Sequence, residues 1–177
     1  MKIYCFITFL INLSNAFMDC GNSPFCGILT LERGGGKGKY FHEIPLVHGL
    51  WPETGSYGSS KCISPQGNPN LPIPKVSCYD DLNFQEHEYR KHGICISKSP
   101  TDFFNTVCNL SEKPLNIMIK LKKDGKTLEE ISDTLYSLGY EIFNIDKLND
   151  QVELSVCAGK DGIWKFSKIA DFDLNCV

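Results

Sequence analysis

The spacing of apolar and polar residues changes along the chain, and each change marks an element. From Phe17 to about Lys39 glycine and cysteine dominate, which predicts loops with a short strand. Ile44 to Trp51 is an apolar run closing at Pro52 and predicts a strand that ends in a loop. Residues 53 to 78 are rich in Gly, Ser, Asn and Pro without periodicity, and predict a long loop tied by Cys62 and Cys78. Helical spacing follows. Asn83 can cap a helix, with Glu86 three residues on as the capping-box partner and Gly93 as a left-handed stop. Thr101 to Leu110 predicts a second helix and Pro114 to Lys122 a third. Thr127 and Glu130 form a capping box before Ile131, Leu135 and Leu138, and Gly139 stops that helix. The period then shortens to two, so Glu141 to Ile145, Gln151 to Cys157 and Gly162 to Ala170 read as strands. Helices in the middle and strands at the end predict an α+β fold, with helices packed on a central antiparallel sheet.

Length and charge narrow the picture. A chain of 177 residues without internal repeats is enough for one domain with a sizeable core, expected here over residues 17–177. A formal net charge of −3 gives no general attraction for a nucleic-acid backbone, so any such binding must come from a local site. Lys2, the apolar run Ile3 to Leu13, and Ser14-Asn15-Ala16 predict a secretory signal over residues 1–16, removed after Ala16. A buried first strand is the alternative for the same run. The run is too short to span a bilayer, and no membrane partner is expected. Removal takes away Cys5 and leaves Cys20, Cys26, Cys62, Cys78, Cys95, Cys108, Cys157 and Cys176, an even set that suits a disulfide-stapled secreted chain. There is no CxxC pair, which argues against a zinc ribbon. Asn109-Leu110-Ser111 is an N-glycosylation acceptor sequence.

The stretch "GGGKGKY" invites a phosphate-loop reading and fails it. Arg33 stands where the first glycine belongs, and Tyr40 where Ser or Thr belongs. The candidate chemistry lies in "FQEHEYRKHGIC", residues 84 to 95, which holds two of the four histidines. On a helix, with His87 at zero, Lys91 falls near about 40°, Glu88 near about 100° and His92 near about 140°. Zinc proteases place their histidines four apart on one stripe; here they are five apart with a lysine between them, which argues against a metal. A solvated polar face remains open for the segment taken alone. The other reading is acid–base chemistry on an anion: two imidazoles work near neutral pH, and a lysine stabilises developing negative charge. "HGLWP", residues 48 to 52, adds a third histidine at a strand end beside an indole.

Together the two segments resemble the two signatures of the ribonuclease T2 family of secreted or vacuolar acid ribonucleases. The first, H-G-L-W-P, is present in full. Of the second, Phe84, His87, Glu88, Lys91, His92, Gly93 and Cys95 match, whereas Gln85, Tyr89 and Ile94 depart. The resemblance implies a ribonuclease T2-like fold and a monomer that cleaves single-stranded RNA without a metal or other cofactor. The ribose 2′-hydroxyl would attack phosphorus to give a 2′,3′-cyclic phosphate, then a 3′-phosphate. It implies His48 and His92 as the acid–base pair, His87 as a phosphate holder, and Glu88 with Lys91 as stabilisers of the transition state. Trp51, Tyr57 and Phe84 would hold bases, although core packing is an equal alternative for Trp51 and Phe84. Glu53 stands where the family usually has Asp. Cys62–Cys95 is the disulfide the resemblance implies, Cys157 with Cys176 is the next best pair, and the pairing of Cys20, Cys26, Cys78 and Cys108 stays open. Family members usually begin with an apolar strand carrying Trp-Pro before the first cysteine; here that strand is either missing or supplied by residues 3 to 11. The rival reading is a non-catalytic secreted protein on the same fold, acting as a ligand or effector. An unrelated binding module would leave His48 far from His92.

Overall fold

The computed structural model describes residues 18–53, 71–97 and 99–177. The expected signal at 1–16, Tyr57 and Cys62 lie outside these residues. The described chain forms five strands: β1 (Phe25–Glu32), β2 (Leu46–Pro52), β3 (Ile142–Asp146), β4 (Gln151–Ala158) and β5 (Trp164–Phe166). Its helices are α1 (Leu82–Lys91), α2 (Pro100–Lys123), α3 (Leu128–Ser137) and α4 (Phe172–Asn175). The strands make one antiparallel sheet in the order β2-β1-β4-β3, with β5 pairing the other half of the β4 edge that β3 occupies. The fold is therefore α+β, as the change of period predicts.

Strand alternation sorts the two faces. Leu29 and Leu31 of β1, Val47 and Leu50 of β2, and Val152, Leu154 and Val156 of β4 all join one core. Phe103, Phe104, Val107 and Met118 of α2 and Ile131 and Leu135 of α3 close over them. The opposite positions Cys26, Ile28 and Cys157 pack with Met18 and Phe172 in a second, smaller cluster. Further along that face, Glu32 and Gln151 are cross-strand partners, so their side chains emerge together. Register slips between Thr30 and Leu31, which face Gly49 and Val47, so His48 is the extra residue of a β-bulge. A bulge turns its side chain away from simple alternation.

Several sequence expectations change. The glycine- and cysteine-rich start carries an eight-residue strand, β1, which pairs with both β2 and β4. Residues 3 to 11, the other place expected for a first strand, lie outside the described residues. Helix α1 is capped by Asp81, whose side chain accepts from the Asn83 backbone N–H; Asn83 lies inside the helix. Glu86 pairs with Arg90 instead of closing a capping box. Gly93 does not take the left-handed conformation but opens a single 3-10 turn, Gly93–Cys95. It is glycine because a Cβ there would meet the rings of Tyr89 and Phe103 at 2.7–2.9 Å. The second and third expected helices are one, α2, capped by Ser99 and running through Pro114. Its buried face, with Phe103, Val107, Leu115 and Met118, holds the helix together across the proline. The capping box at Thr127 and the left-handed Gly139 (φ 94°) stand as expected.

Disulfides join Cys20 to Cys26, Cys78 to Cys108 and Cys157 to Cys176. Cys95 is also disulfide-bonded; its expected partner, Cys62, is outside the described residues. Gln85 and Tyr89, which depart from the family signature, are both buried. The Gln85 amide donates to the Pro74 carbonyl (2.7 Å), and the Tyr89 hydroxyl donates to the Ser97 carbonyl (3.0 Å). These two replacements thus tie α1 to the segments on either side of it.

Candidate active site

Strand β2 delivers His48 and Trp51, and helix α1 with its C-cap delivers Phe84, His87, Glu88, Lys91 and His92. The two elements meet through their rings. The Trp51 indole lies 5.1 Å from the His48 ring and 5.6 Å from the His92 ring, centroid to centroid. The unrelated-module reading, which needs these histidines far apart, is therefore at odds with the fold. Glu88 is 1% exposed. One of its oxygens accepts the Trp51 indole N–H at 2.9 Å, and the other lies 3.8 Å from His48 Nε2. This explains the glycine after His48. A Cβ at Gly49 would collide with Glu88 Oε2 and stand 2.6 Å from the Trp51 indole nitrogen.

Phe84 stacks its edge on His48, with centroids 4.8 Å apart, and lies parallel to His87 at 6.5 Å. Phe84 is partly buried: it packs against the main core and also lines the mouth of the site. A cavity of about 440 Å³ opens on this side, bounded by Glu32, Lys39, Tyr40, His42, Phe84 and His87. Trp51 is half-buried against both histidines. Asn109 is elsewhere, exposed on α2 beside Trp164 and Phe166 in a separate cavity.

Burial and like charges shape the titration of the site. The His92 imidazole is pushed down from 6.5 to about 3, first by burial and then by Lys91, His87 and His48. His87 is lowered by burial and then by Lys91, Lys39 and His48. Glu88 is raised by burial, against the opposing pull of His48, the Trp51 N–H, Lys91 and Lys39. The Glu53 carboxyl, half-buried beyond Trp51, is raised by burial alone. Among the described residues, no group of three or more His, Cys, Asp and Glu side chains is arranged to hold a metal ion.

Sequence reasoning missed four residues here. Glu32 is 2% exposed and contacts two histidines. One of its oxygens lies 2.5 Å from His48 Nδ1, and the other bonds His42 Nε2. Gln151 donates to Glu32 at 3.2 Å. Lys39 stands over the rings of Tyr40 and Phe84, 5.1 Å from each centroid. The loop carrying Lys39 and His42 is held by Asp150, which accepts from the Gly35 backbone and from Arg33 Nε. Lys122 also donates to the His42 carbonyl at 2.9 Å. The alternation of "GILTLE" could have aimed Glu32 at the polar face. No local pattern marks His42.

Residues 37–138 match the model of the ribonuclease T2 family. Ribonuclease S-7 of Nicotiana alata is 25% identical over 140 residues, 63% of this chain and 64% of that protein. A ribonuclease of Aeromonas hydrophila is 29% identical over 68 residues, 38% of this chain and 32% of that protein. A crystal structure of RNase NT in complex with 5′-AMP is similar at 19% identity and a TM-score of 0.47, covering 81% of this chain and 88% of that one. This chain therefore spans less than two thirds of the length of either curated relative. The family match covers more than half of the chain and takes in both histidine segments and all of α1. The chain belongs to the ribonuclease T2 family.

Proposed function

We propose that the protein is an endoribonuclease that cleaves single-stranded RNA by transphosphorylation, without a metal. The observation that carries this reading is the meeting of His48 and His92 on one indole, with Glu88 bonded to that indole and facing His48. Such a set can accept one proton and donate another across a phosphodiester. His92, with its pKa lowered to about 3, is neutral over most of the acid range and takes the proton of the ribose 2′-hydroxyl. The 2′-oxygen bonds to phosphorus, the bond to the 5′-oxygen breaks, and His48 gives that oxygen its proton. The products are a 2′,3′-cyclic phosphate and a free 5′-hydroxyl. Water then opens the ring to a 3′-phosphate with the two histidines exchanging roles.

Three groups hold the charge that develops on phosphorus. Lys91 and His87 attract the non-bridging oxygens. Glu88, raised by burial, can carry a proton at acid pH and donate it to one of them. Trp51, Phe84 and Tyr57 are the base-holding rings. Stacking contributes about 1–3 kcal/mol per base and needs no basic surface, which fits a chain of net charge −3. Entry into the secretory pathway through residues 1–16, residence outside the cell or in a lysosomal or vacuolar lumen, a glycan on Asn109 and a monomeric state belong to the same proposal. No helix among the described residues is long and apolar enough to cross a membrane.

The test uses oxidised, purified protein and an RNA oligonucleotide in excess EDTA at pH 4 to 7. The expected products carry 2′,3′-cyclic phosphate ends, and His48→Ala or His92→Ala should each lower the rate by about 10²–10⁴-fold. Intact RNA with the natural protein would return the reading to a non-catalytic ligand or effector. Cleavage that EDTA abolishes would refute the metal-free mechanism.

A further inference from the structure

The geometry points to Glu32 as the positioning residue of His48. This buried carboxylate fixes Nδ1 as the nitrogen that carries the standing proton and leaves Nε2 as the one that reacts. The inference deepens the ribonuclease reading and rests on it for its catalytic part.

The tautomer follows from lone pairs. His48 Nδ1 lies 2.5 Å from Glu32 Oε1. An unprotonated Nδ1 would set its lone pair against a carboxylate oxygen, so the proton sits on Nδ1 and is donated to Glu32. Gln151 Nε2 lies 3.0 Å from the same Nδ1 and 3.2 Å from Glu32 Oε1. An amide N–H cannot donate to a nitrogen that already bears a proton, so Gln151 donates to the carboxylate. His42 Nε2 faces Glu32 Oε2 and by the same argument donates to it. Its Nδ1 is buried without a hydrogen-bond partner among the described residues. One carboxylate thus receives three donors from three directions, and its orientation is fixed before substrate arrives.

The fold explains why these groups meet. Glu32 and Gln151 are register partners on β1 and β4, and the β2 bulge turns His48 toward them. With Nδ1 committed, Nε2 points to Glu88, 3.8 Å away, where the scissile phosphate would sit. A carboxylate behind an imidazole does this work for the histidine of serine-protease triads, by holding tautomer and orientation. Glu32 does not touch the reacting atoms. It acts through His48.

The test combines kinetics with histidine ¹⁵N spectra of the full chain. In the natural protein, long-range ¹H–¹⁵N correlations should show neutral His48 protonated at Nδ1 and neutral His42 at Nε2. Glu32→Ala should release His48 into a mixture of tautomers and lower kcat by about 10²-fold, within the range a positioned acid or base supplies, with KM nearly unchanged. Glu32→Gln keeps one acceptor oxygen and most of the volume, so it should fold and retain more activity than the alanine variant. If Glu32→Ala does not fold, Glu32→Gln alone decides, through a loss in kcat at constant KM and a changed His42 or His48 spectrum. Full activity with unchanged spectra would overturn the assignment. So would a loss confined to KM or to base preference, which would make Glu32 a substrate contact on the wall of its cavity. A natural protein that leaves RNA intact would end the ribonuclease reading, yet the tautomer spectra would still decide what Glu32 does to His48.

Discussion

The acid limb of the pH–rate profile follows directly from where His92 sits. The residue is 7% exposed, packs on Trp51, and has Lys91, His87 and His48 as cationic or potentially cationic neighbours. Burial is the larger cause and the like charges add to it, so the imidazole goes from 6.5 to about 3. At pH 5 an ordinary imidazole of pKa 6.5 is about 3% neutral, whereas one of pKa about 3 is about 99% neutral, a difference of roughly 30-fold in available base. If His92 is the base, kcat/KM should hold down to acid pH and fall with a midpoint near 3, because kcat/KM reports the free enzyme. Lys91→Met removes the second cause and leaves the first, so its midpoint should rise only part of the way to 6.5. The assay is kcat/KM on a dinucleoside monophosphate from pH 2 to 8 in EDTA, with the His92 ring protons followed by NMR over the same range. An acid limb near 6.5, with His92 titrating at that pH, would refute the reasoning. The same shift carries a sign for stability. The unfolded chain binds the proton first, so the folded state loses stability as pH falls from about 6.5 to about 3.

Two further outcomes are expected. Gly49→Ala drives a methyl into Glu88 Oε2; it should cost about 1–3 kcal/mol in urea unfolding and lower kcat with it, and a variant of natural stability would show that Glu88 does not lie over Gly49. Replacing Cys157 and Cys176 together by serine opens a bridge of sequence separation 19 and should cost roughly 3 kcal/mol in the chain-entropy model, read from the urea midpoint; an unchanged midpoint would remove that bridge from the stability of the fold.

Local chemistry was legible in the sequence and cross-strand chemistry was not. Helical periodicity alone placed His87, Glu88, Lys91 and His92 within one arc of about 140°, because each residue advances a helix by about 100°. The strands near Ile142 and Gln151 and the capping box at Thr127 were readable for the same reason: their determinants lie within a few residues of one another. Of the strand expected over Gly162 to Ala170 only Trp164–Phe166 forms, and Ile169–Asp171 is a 3-10 turn. Helix ends were read less well. Asp81 rather than Asn83 caps α1, because both are good capping residues and only the path of the chain into the helix chooses between them. Gly93 looked like a stop, but the neighbouring rings decided its role.

Strand β1 was obscured by the cysteines and glycines around it, and with it went Glu32. Nothing within the reach of a local pattern connects Glu32 to Gln151, 119 residues later, or to His48 across a bulge. By itself the sequence determined the residue types of the site, the stretch of α1 and its C-cap that carries His87, Glu88, Lys91 and His92, and the α+β order of elements. Those depend on short-range periodicity. The tertiary structure decided that Trp51 is shared by two histidines, that Glu88 needs a glycine beneath it, and that a buried carboxylate stands behind His48. Those depend on sheet register and close packing, which bring distant residues within a few ångströms and leave no trace in local spacing.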